Sequence, residues 1–214
     1  MIEKKLIKKD NQIFTLNLVP GVKQFSERIE IIEGKEWRMW DPYRSKLAAA
    51  IANGLKNWPI KNGQKILYLG IANGQTASHI SDIIGQKGII YGIEISERPF
   101  RELLPVAEAR GNIAAILADA RKPQDYDWIE QVDVIYQDVA TPDQAEILIR
   151  NCKFLKPNGI AMIAIKARSV DVVRQPKEIY KEVLEKLKER FEILEKIELD
   201  PYEKDHMFVL LRLK

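Results

Sequence analysis

From Lys65 onward the chain alternates short, continuously apolar runs with amphipathic segments, a pattern that few folds accept. KILYLGI, GIIYGIE, IAAILAD, VDVIYQDV and GIAMIAIKA, which begin at Lys65, Gly88, Ile113, Val132 and Gly159, read as strands buried on both faces of a parallel sheet. Helices are expected between them at 76–84, 98–110 and 142–154. After Pro176, KEIYKEVLEKLKERF turns Ile179, Val183, Leu184 and Leu187 inward and leaves its Glu and Lys residues as a solvated face. FEILEKIEL and HMFVLLRL flank a turn at Asp200-Pro201 and close the array as a hairpin. The expected fold class is α/β, a mostly parallel seven-stranded sheet with a C-terminal antiparallel strand.

Residues 12–40 differ. IFTLNLV and RIEIIEG have strand character and are punctuated by Pro20-Gly21 and Gly34. A small β-rich part over 1–43 is therefore expected ahead of the main domain at 44–214. Asp41-Pro42 breaks the chain, and Ser45 caps a helix from Lys46 to about Leu55. Trp37 and Trp40 are assigned to the core of the N-terminal part.

The lone cysteine, Cys152, has no disulfide partner and no companions at metal-ligand spacing, so no metal site is expected and a reducing compartment fits. Neither the N-terminal MIEKKLIKKD nor the apolar run from Ile160 to Ile165 suits a signal peptide or a membrane span. Net charge is +3, with residues 1–60 carrying 11 Lys/Arg against 7 Asp/Glu; this bias permits an RNA partner without requiring one.

In an open parallel sheet, ligands bind beyond the carboxyl ends of the strands where strand order reverses. The first strand ends at Tyr68-Leu69-Gly70, and Ile71-Ala72-Asn73-Gly74-Gln75-Thr76 leads into a helix. Its glycines are spaced G-x-x-x-G rather than G-x-G-x-x-G, which disfavours a pyrophosphate-bearing dinucleotide. Glu94 ends the second strand, where a carboxylate can accept both ribose hydroxyls of a nucleoside. Asp119 ends the third and can accept an adenine amino proton, while Asp138 ends the fourth. An acid at each successive strand end points to an adenosyl cofactor.

These residues lie within motifs that resemble the fibrillarin family: Arg44-Ser45-Lys46-Leu47-Ala48-Ala49-Ala50-Ile51, the Tyr68-Leu69-Gly70 loop leading to Ser78-His79-Ile80-Ser81-Asp82, Arg101-Glu102-Leu103-Leu104, Gln137-Asp138-Val139-Ala140, Ile165-Lys166-Ala167-Arg168-Ser169 and Asp205-His206. The resemblance runs from about residue 12 to the C-terminus. It implies a Rossmann-like S-adenosylmethionine-dependent methyltransferase fold and 2′-O-methylation of ribose in rRNA or tRNA. The expected partners are a C/D-box guide RNA, the target RNA, a Nop-family scaffold protein and a kink-turn-binding ribosomal-type protein. The cofactor set it implies is Tyr68, Gly70, Ala72, Gly74, Gln75, Thr76, Glu94, Ile95, Asp119, Ala120, Asp138, Val139, Ala140, Thr141 and Gln144. Gln75 stands where the family usually has Thr, and Thr141 where it usually has Gln before the proline; both keep a polar side chain. The absence of a Gly/Arg-rich tail looks archaeal, with a cytoplasmic location.

Transfer from a sulfonium is an in-line displacement, so the protein must align three atoms and manage one proton. A ribose hydroxyl is a poor nucleophile and needs a base or cation beside it. Lys166 and Asp138, at the ends of adjacent strands, should lie side by side, Lys166 engaging the 2′-hydroxyl and Asp138 orienting the lysine. A lysine becomes a base only where desolvation or a neighbouring cation lowers its pKa, and Lys46 is the candidate cation. By resemblance, Lys46 and His206 complete a Lys-Asp-Lys-His set. His79 is read as a packing or capping residue. Arg168, Arg174 and Lys177 are candidates for RNA phosphates, with target choice delegated to guide pairing. The rival readings are a nicotinamide-dependent oxidoreductase, a non-catalytic module retaining the fold, and a methyltransferase of free small molecules.

Overall fold

A computed structural model describes residues 5–214; residues 1–4, the first of the expected N-terminal part, lie outside the described residues. The N-terminal sheet has four antiparallel strands in the order β1-β2-β4-β3: β1 (Leu6–Lys9), β2 (Gln12–Leu16), β3 (Ile29–Ile32) and β4 (Lys35–Met39). Only the regions of β2 and β3 carry a strand signal in the sequence. The partners β1, LIKK, and β4, KEWRM, are short and charged, and are held by hairpin turns at Asp10-Asn11 and Glu33-Gly34, all four residues at positive φ.

The main sheet has seven strands in the order β10-β11-β9-β8-β5-β6-β7. They are β5 (Lys65–Leu69), β6 (Ile89–Glu94), β7 (Ile113–Leu117), β8 (Val132–Gln137), β9 (Leu155–Lys166), β10 (Phe191–Glu198) and β11 (His206–Leu213). All neighbouring pairs from β9 to β7 are parallel, and β11 pairs antiparallel with both β9 and β10. The chain moves outward from β5 to β7 and then crosses back to β8, so strand order reverses between β5 and β8.

The helices are α1 (Lys46–Ala52), α2 (Gln75–Ile84), α3 (Glu97–Arg110), α4 (Gln144–Asn151), α5 (Ala167–Val170) and α6 (Pro176–Leu187). Ser45 caps α1, its Oγ accepting from Ala48 N, but the helix ends at Ala52 rather than near Leu55. Side chains alternate along β5. Ile66 and Tyr68 enter one core with Leu47, Ile51, Ile80, Ile83, Leu103 and Val106 of α1 to α3, while Leu67 and Leu69 enter the other with Ile147, Leu148, Ile179 and Val183 of α4 and α6. The expectation of burial on both faces fails at β7, whose residues after Ile113 are only partly covered or exposed, because it is the edge strand.

The two sheets are joined by a buried charged knot. Arg38 of β4, fully buried, donates to Glu27 Oε1 at 2.8 Å, Asp82 Oδ2 at 2.8 Å and Ser78 Oγ at 2.9 Å. Asp82 of α2 also accepts from Thr15 Oγ1 at 2.7 Å, Leu18 N at 2.9 Å and Arg110 Nη2. Because the Thr15 hydroxyl proton goes to Asp82, His79 Nδ1–H donates to Thr15 Oγ1 at 2.8 Å. His79 is stacked on Trp40, with ring centroids 5.0 Å apart, and burial with two nearby arginines holds its pKa well below the usual imidazole value. His79 is thus a packing residue, and Trp37 and Trp40 are buried.

Candidate active site

The reversal of strand order opens a cleft of about 330 Å³ at the carboxyl ends of β5, β6, β7 and β8. Its walls include Ile93, Ile95, Val139 and Ile147, and its polar groups include Glu94, Asp119, Asp138, Thr141 and Lys166. Of the expected cofactor residues, Gly70, Ala72, Glu94, Ile95, Asp119, Ala120, Asp138, Val139, Ala140 and Thr141 line it.

The loop after β5 is shaped by backbone that few residues tolerate. Gly70 has φ +77°, and a Cβ there would lie 3.1 Å from both the Asp138 carbonyl oxygen and Val139 Cγ1. Ala72 takes φ 52° without being glycine, held by Glu94 Oε2, which accepts its N–H at 2.9 Å. Glu94 Oε1 accepts from Ser96 N at 2.8 Å, so this buried carboxylate sets the loop and still has lone pairs facing the cleft. Asp119 Oδ1 accepts from Arg121 N at 2.9 Å. Thr141 Oγ1 is out of solvent and lies by the Asp143 carboxylate.

Tyr68, Gly74, Gln75, Thr76 and Gln144 do not line the cleft. Tyr68 lies beneath it, its ring 4.6 Å from that of Tyr136, and burial with the negative charge of Asp138 pushes both phenols well above their ordinary pKa. Thr76 is buried and donates to Ser45 Oγ at 2.9 Å, tying α2 to the start of α1. Gln144 packs behind Lys166 instead of on the cleft wall. It is fully buried, its Oε1 accepting from Lys166 N at 2.9 Å and its Nε2 donating to Lys166 O at 3.1 Å. It braces β9 through both backbone groups of Lys166.

At the rim, Lys166 Nζ lies 2.8 Å from Asp138 Oδ1 and donates to the Asp138 carbonyl oxygen at 2.8 Å. Lys46 Nζ approaches the same Oδ1 at 3.4 Å, and its other neighbour is Glu203 Oε1 at 3.7 Å. Oδ1 accepts no well-directed hydrogen bond, so its contacts with the ammoniums are ionic. His206 sits opposite Lys166 in the β11–β9 register, and its Nδ1–H donates to Lys204 O at 2.7 Å, leaving Nε2 as an acceptor. The structure therefore gathers Lys46, Asp138 and Lys166 by direct contact and places His206 alongside. Glu203 escaped the sequence reading, since only its position one residue after Tyr202 and three before His206 hinted at it.

The RNA candidates divide. Arg168 pairs with Asp205 at 2.9 Å and Arg174 with Glu182 at 2.8 Å, so phosphate would have to compete with local carboxylates. Lys177 lines a separate groove with Tyr180 and Leu184.

Carboxylates with spare lone pairs at two strand ends, apolar walls between them and a glycine-tight loop with no phosphate cradle fit an adenosyl ligand carrying a sulfonium. Comparison with known proteins agrees. A family model described as Fibrillarin matches residues 2–214. A protein of Pyrococcus furiosus named fibrillarin-like rRNA/tRNA 2′-O-methyltransferase is 55% identical over 203 residues, covering 94% of this chain and 89% of its own. The structure of Aeropyrum pernix fibrillarin with natively bound S-adenosyl-L-methionine superposes with a TM-score of 0.88 at 45% identity, covering 99% of this chain and 100% of that one. A fibrillarin/Nop5p complex contains a chain that superposes at 0.90 with 38% identity, covering 98% of each. Matched by that family model over residues 2–214 and by a relative 55% identical over 94% of its length, the chain belongs to the fibrillarin family.

Proposed function

We propose that this chain transfers the methyl group of S-adenosylmethionine to ribose 2′-hydroxyls of rRNA and tRNA. It does so within an assembly of C/D-box guide RNA, a Nop-family scaffold and a kink-turn-binding protein. The observation that carries the reading is the Lys46–Asp138–Lys166 cluster at the rim of the adenosyl cleft. Relatives named as 2′-O-methyltransferases, a fibrillarin with natively bound S-adenosyl-L-methionine and a fibrillarin/Nop5p complex support it.

Glu94 would hold the cofactor's ribose and Asp119 with Ala120 its adenine, while Gly70, Ala72 and Val139 to Thr141 close around it. Bound there, S-adenosylmethionine supplies an electrophilic methyl group. The residues of the chain have the harder task of presenting the acceptor oxygen. An ammonium has three N–H donors; the Asp138 carbonyl oxygen takes one of those on Lys166, and the Asp138 carboxylate holds the ammonium by an ionic contact. The rest are left for the 2′-oxygen, where they fix its lone pair in line and offset negative charge as the hydroxyl proton passes to Nε2 of His206, which stands opposite Lys166 in the β11–β9 register. Gln144 sets the height of Lys166 by clamping its backbone on both sides. Lys46 adds a second positive charge at Asp138 and is itself restrained by Glu203. Arg168 and Arg174 would meet RNA phosphates by exchanging Asp205 and Glu182 for them.

The test is transfer of labelled methyl to a target RNA by the full assembly, with ribose or 2′-deoxyribose at the target position. Label on ribose alone supports the reading. Transfer to the deoxy target would place the acceptor elsewhere, and transfer without guide and scaffold would favour a small-molecule enzyme.

A further inference from the structure

The adenosyl cleft opens at the ends of β5 and β6, and two of its walls come from the strands that flank this pair, β7 and β8. Asp119, Ala120 and Arg121 follow β7 on one wall, and Asp138 to Thr141 follow β8 on the other. The helix α4, which continues the second wall, is tied to the first at two depths. Deep in the fold, Asn151 of α4, fully buried, donates to Ala120 O at 2.9 Å. Nearer solvent, Arg121 Nε donates to Asp143, lying 3.1 Å from Oδ2 and 3.4 Å from Oδ1, and these two side chains are 39% and 32% exposed. Asp143 stands at the N-cap of α4, where a carboxylate ordinarily accepts from the first helical turn, yet it makes no such bond. It does not line the cleft itself, and the Thr141 hydroxyl lies by the same carboxylate. One group outside the cleft thus meets a lining residue of each wall.

We infer that the Arg121–Asp143 ion pair is a latch at the adenine end of the cleft, and that Asp143 is a positioning residue that sets how long S-adenosylmethionine and its demethylated product stay bound. The inference rests on the cleft taking that cofactor with its adenine at Asp119, and it does not depend on the RNA acceptor. Arg121 and Asp119 share one turn, the Arg121 N–H donating to Asp119 Oδ1 at 2.9 Å. Holding the Arg121 side chain therefore holds the turn that presents Asp119 to the adenine amino group. A ligand enclosed between two walls leaves only as fast as they part. The buried Asn151 contact keeps the base of the walls together, so parting at the surface requires the ion pair to open. A pair about a third exposed is weak and screened by salt, and it opens without disturbing the core. That suits a cofactor which has to be exchanged after every transfer, since release of product is a step that commonly limits turnover.

The test follows S-adenosylhomocysteine leaving the full chain by surface plasmon resonance, with calorimetry for its Kd. Asp143→Asn keeps the size of the side chain and removes its charge. It should raise the dissociation rate about three- to fivefold, the upper range for a partly exposed ion pair, and raise Kd by the same factor at an unchanged unfolding temperature. Arg121→Gln should be at least as fast, and adding Asp143→Asn to it should bring no further increase. Raising KCl from about 0.05 to about 1 M should bring the wild type close to the rate of Asp143→Asn and leave that variant nearly where it is. A dissociation rate unchanged by Asp143→Asn, additive effects in the double variant, or a lowered unfolding temperature in place of faster release would each overturn the latch. A wild-type chain that binds neither S-adenosylmethionine nor S-adenosylhomocysteine would remove the cofactor reading and the latch with it. Release kinetics need no methyl transfer, so a latch that behaves as expected in a chain whose assembly methylates no ribose stands, and contradicts the proposed reaction alone.

Discussion

Two aspartates, Asp82 and Asp138, each sit between two cations, and they are treated in opposite ways. Asp82 has no exposed surface and accepts from Thr15, Leu18 N, Arg38 and Arg110, so its lone pairs are well filled. Asp138 keeps 14% of its side chain exposed, and its Oδ1 meets Lys46 and Lys166 without a well-directed hydrogen bond. Saturation makes the first cluster a joint between the two sheets, because a buried charge is tolerated only when every partner is in place. Under-saturation at a cleft rim leaves the second with capacity for a reacting group. Charge density alone does not separate structural from catalytic clusters; the count of unfilled donors and acceptors does.

The contrast breaks most readily at Lys166. Lys166→Ala should cut methyl transfer on the order of 10³-fold, about 4 kcal/mol of barrier, while thermal unfolding stays near that of the wild type. Asp82→Ala should do the converse and cost about 3 kcal/mol in denaturant unfolding. That is the low end for a broken buried pair, since Glu27 still faces Arg38. Glu94→Gln should weaken S-adenosylmethionine binding about tenfold by calorimetry, because one of the two loop N–H groups it holds, or the ligand, then meets an amide NH₂.

The smallest effect concerns pH. His79 is held neutral in the fold, with its pKa well below 6.5, so the unfolded chain binds more protons as pH falls. The stability His79 contributes is complete above about pH 7 and declines as pH drops below 6.5, with a slope of at most about 1.4 kcal/mol per pH unit. His79→Gln should flatten that slope between about pH 5 and 7. An unchanged slope would mean that the knot accepts the proton. Glu27, Asp133 and Asp143, whose pKa values are lowered, add their own loss only at more acidic pH.

Legibility in the sequence followed the range of the interactions. The parallel strands were readable because each is a local apolar run, and Ser45 because capping is local. Glu94, Asp119 and Asp138 were readable because the carboxyl ends of parallel strands converge on one edge by geometry. The strands β1 and β4 were not, since LIKK and KEWRM gain strand structure only from their partners, with Arg38 in the middle of β4 buried by Asp82, which lies 44 residues away. The contact of the Gln144 amide with the Lys166 backbone is equally illegible, since it forms only when β9 returns beside α4. The contact of Glu203 with Lys46 depends on β11 laying the preceding loop against α1, which no local pattern announces.

The most direct test pairs two isosteric changes in the same assembly, Asp82→Asn and Asp138→Asn, each followed by thermal unfolding and by single-turnover methyl transfer. The predicted result is a lowered unfolding temperature with transfer retained below it for Asp82→Asn, and an unchanged unfolding temperature with transfer lost for Asp138→Asn. Equal losses of stability in both, or full transfer by Asp138→Asn, would contradict the assignment of the rim cluster to catalysis.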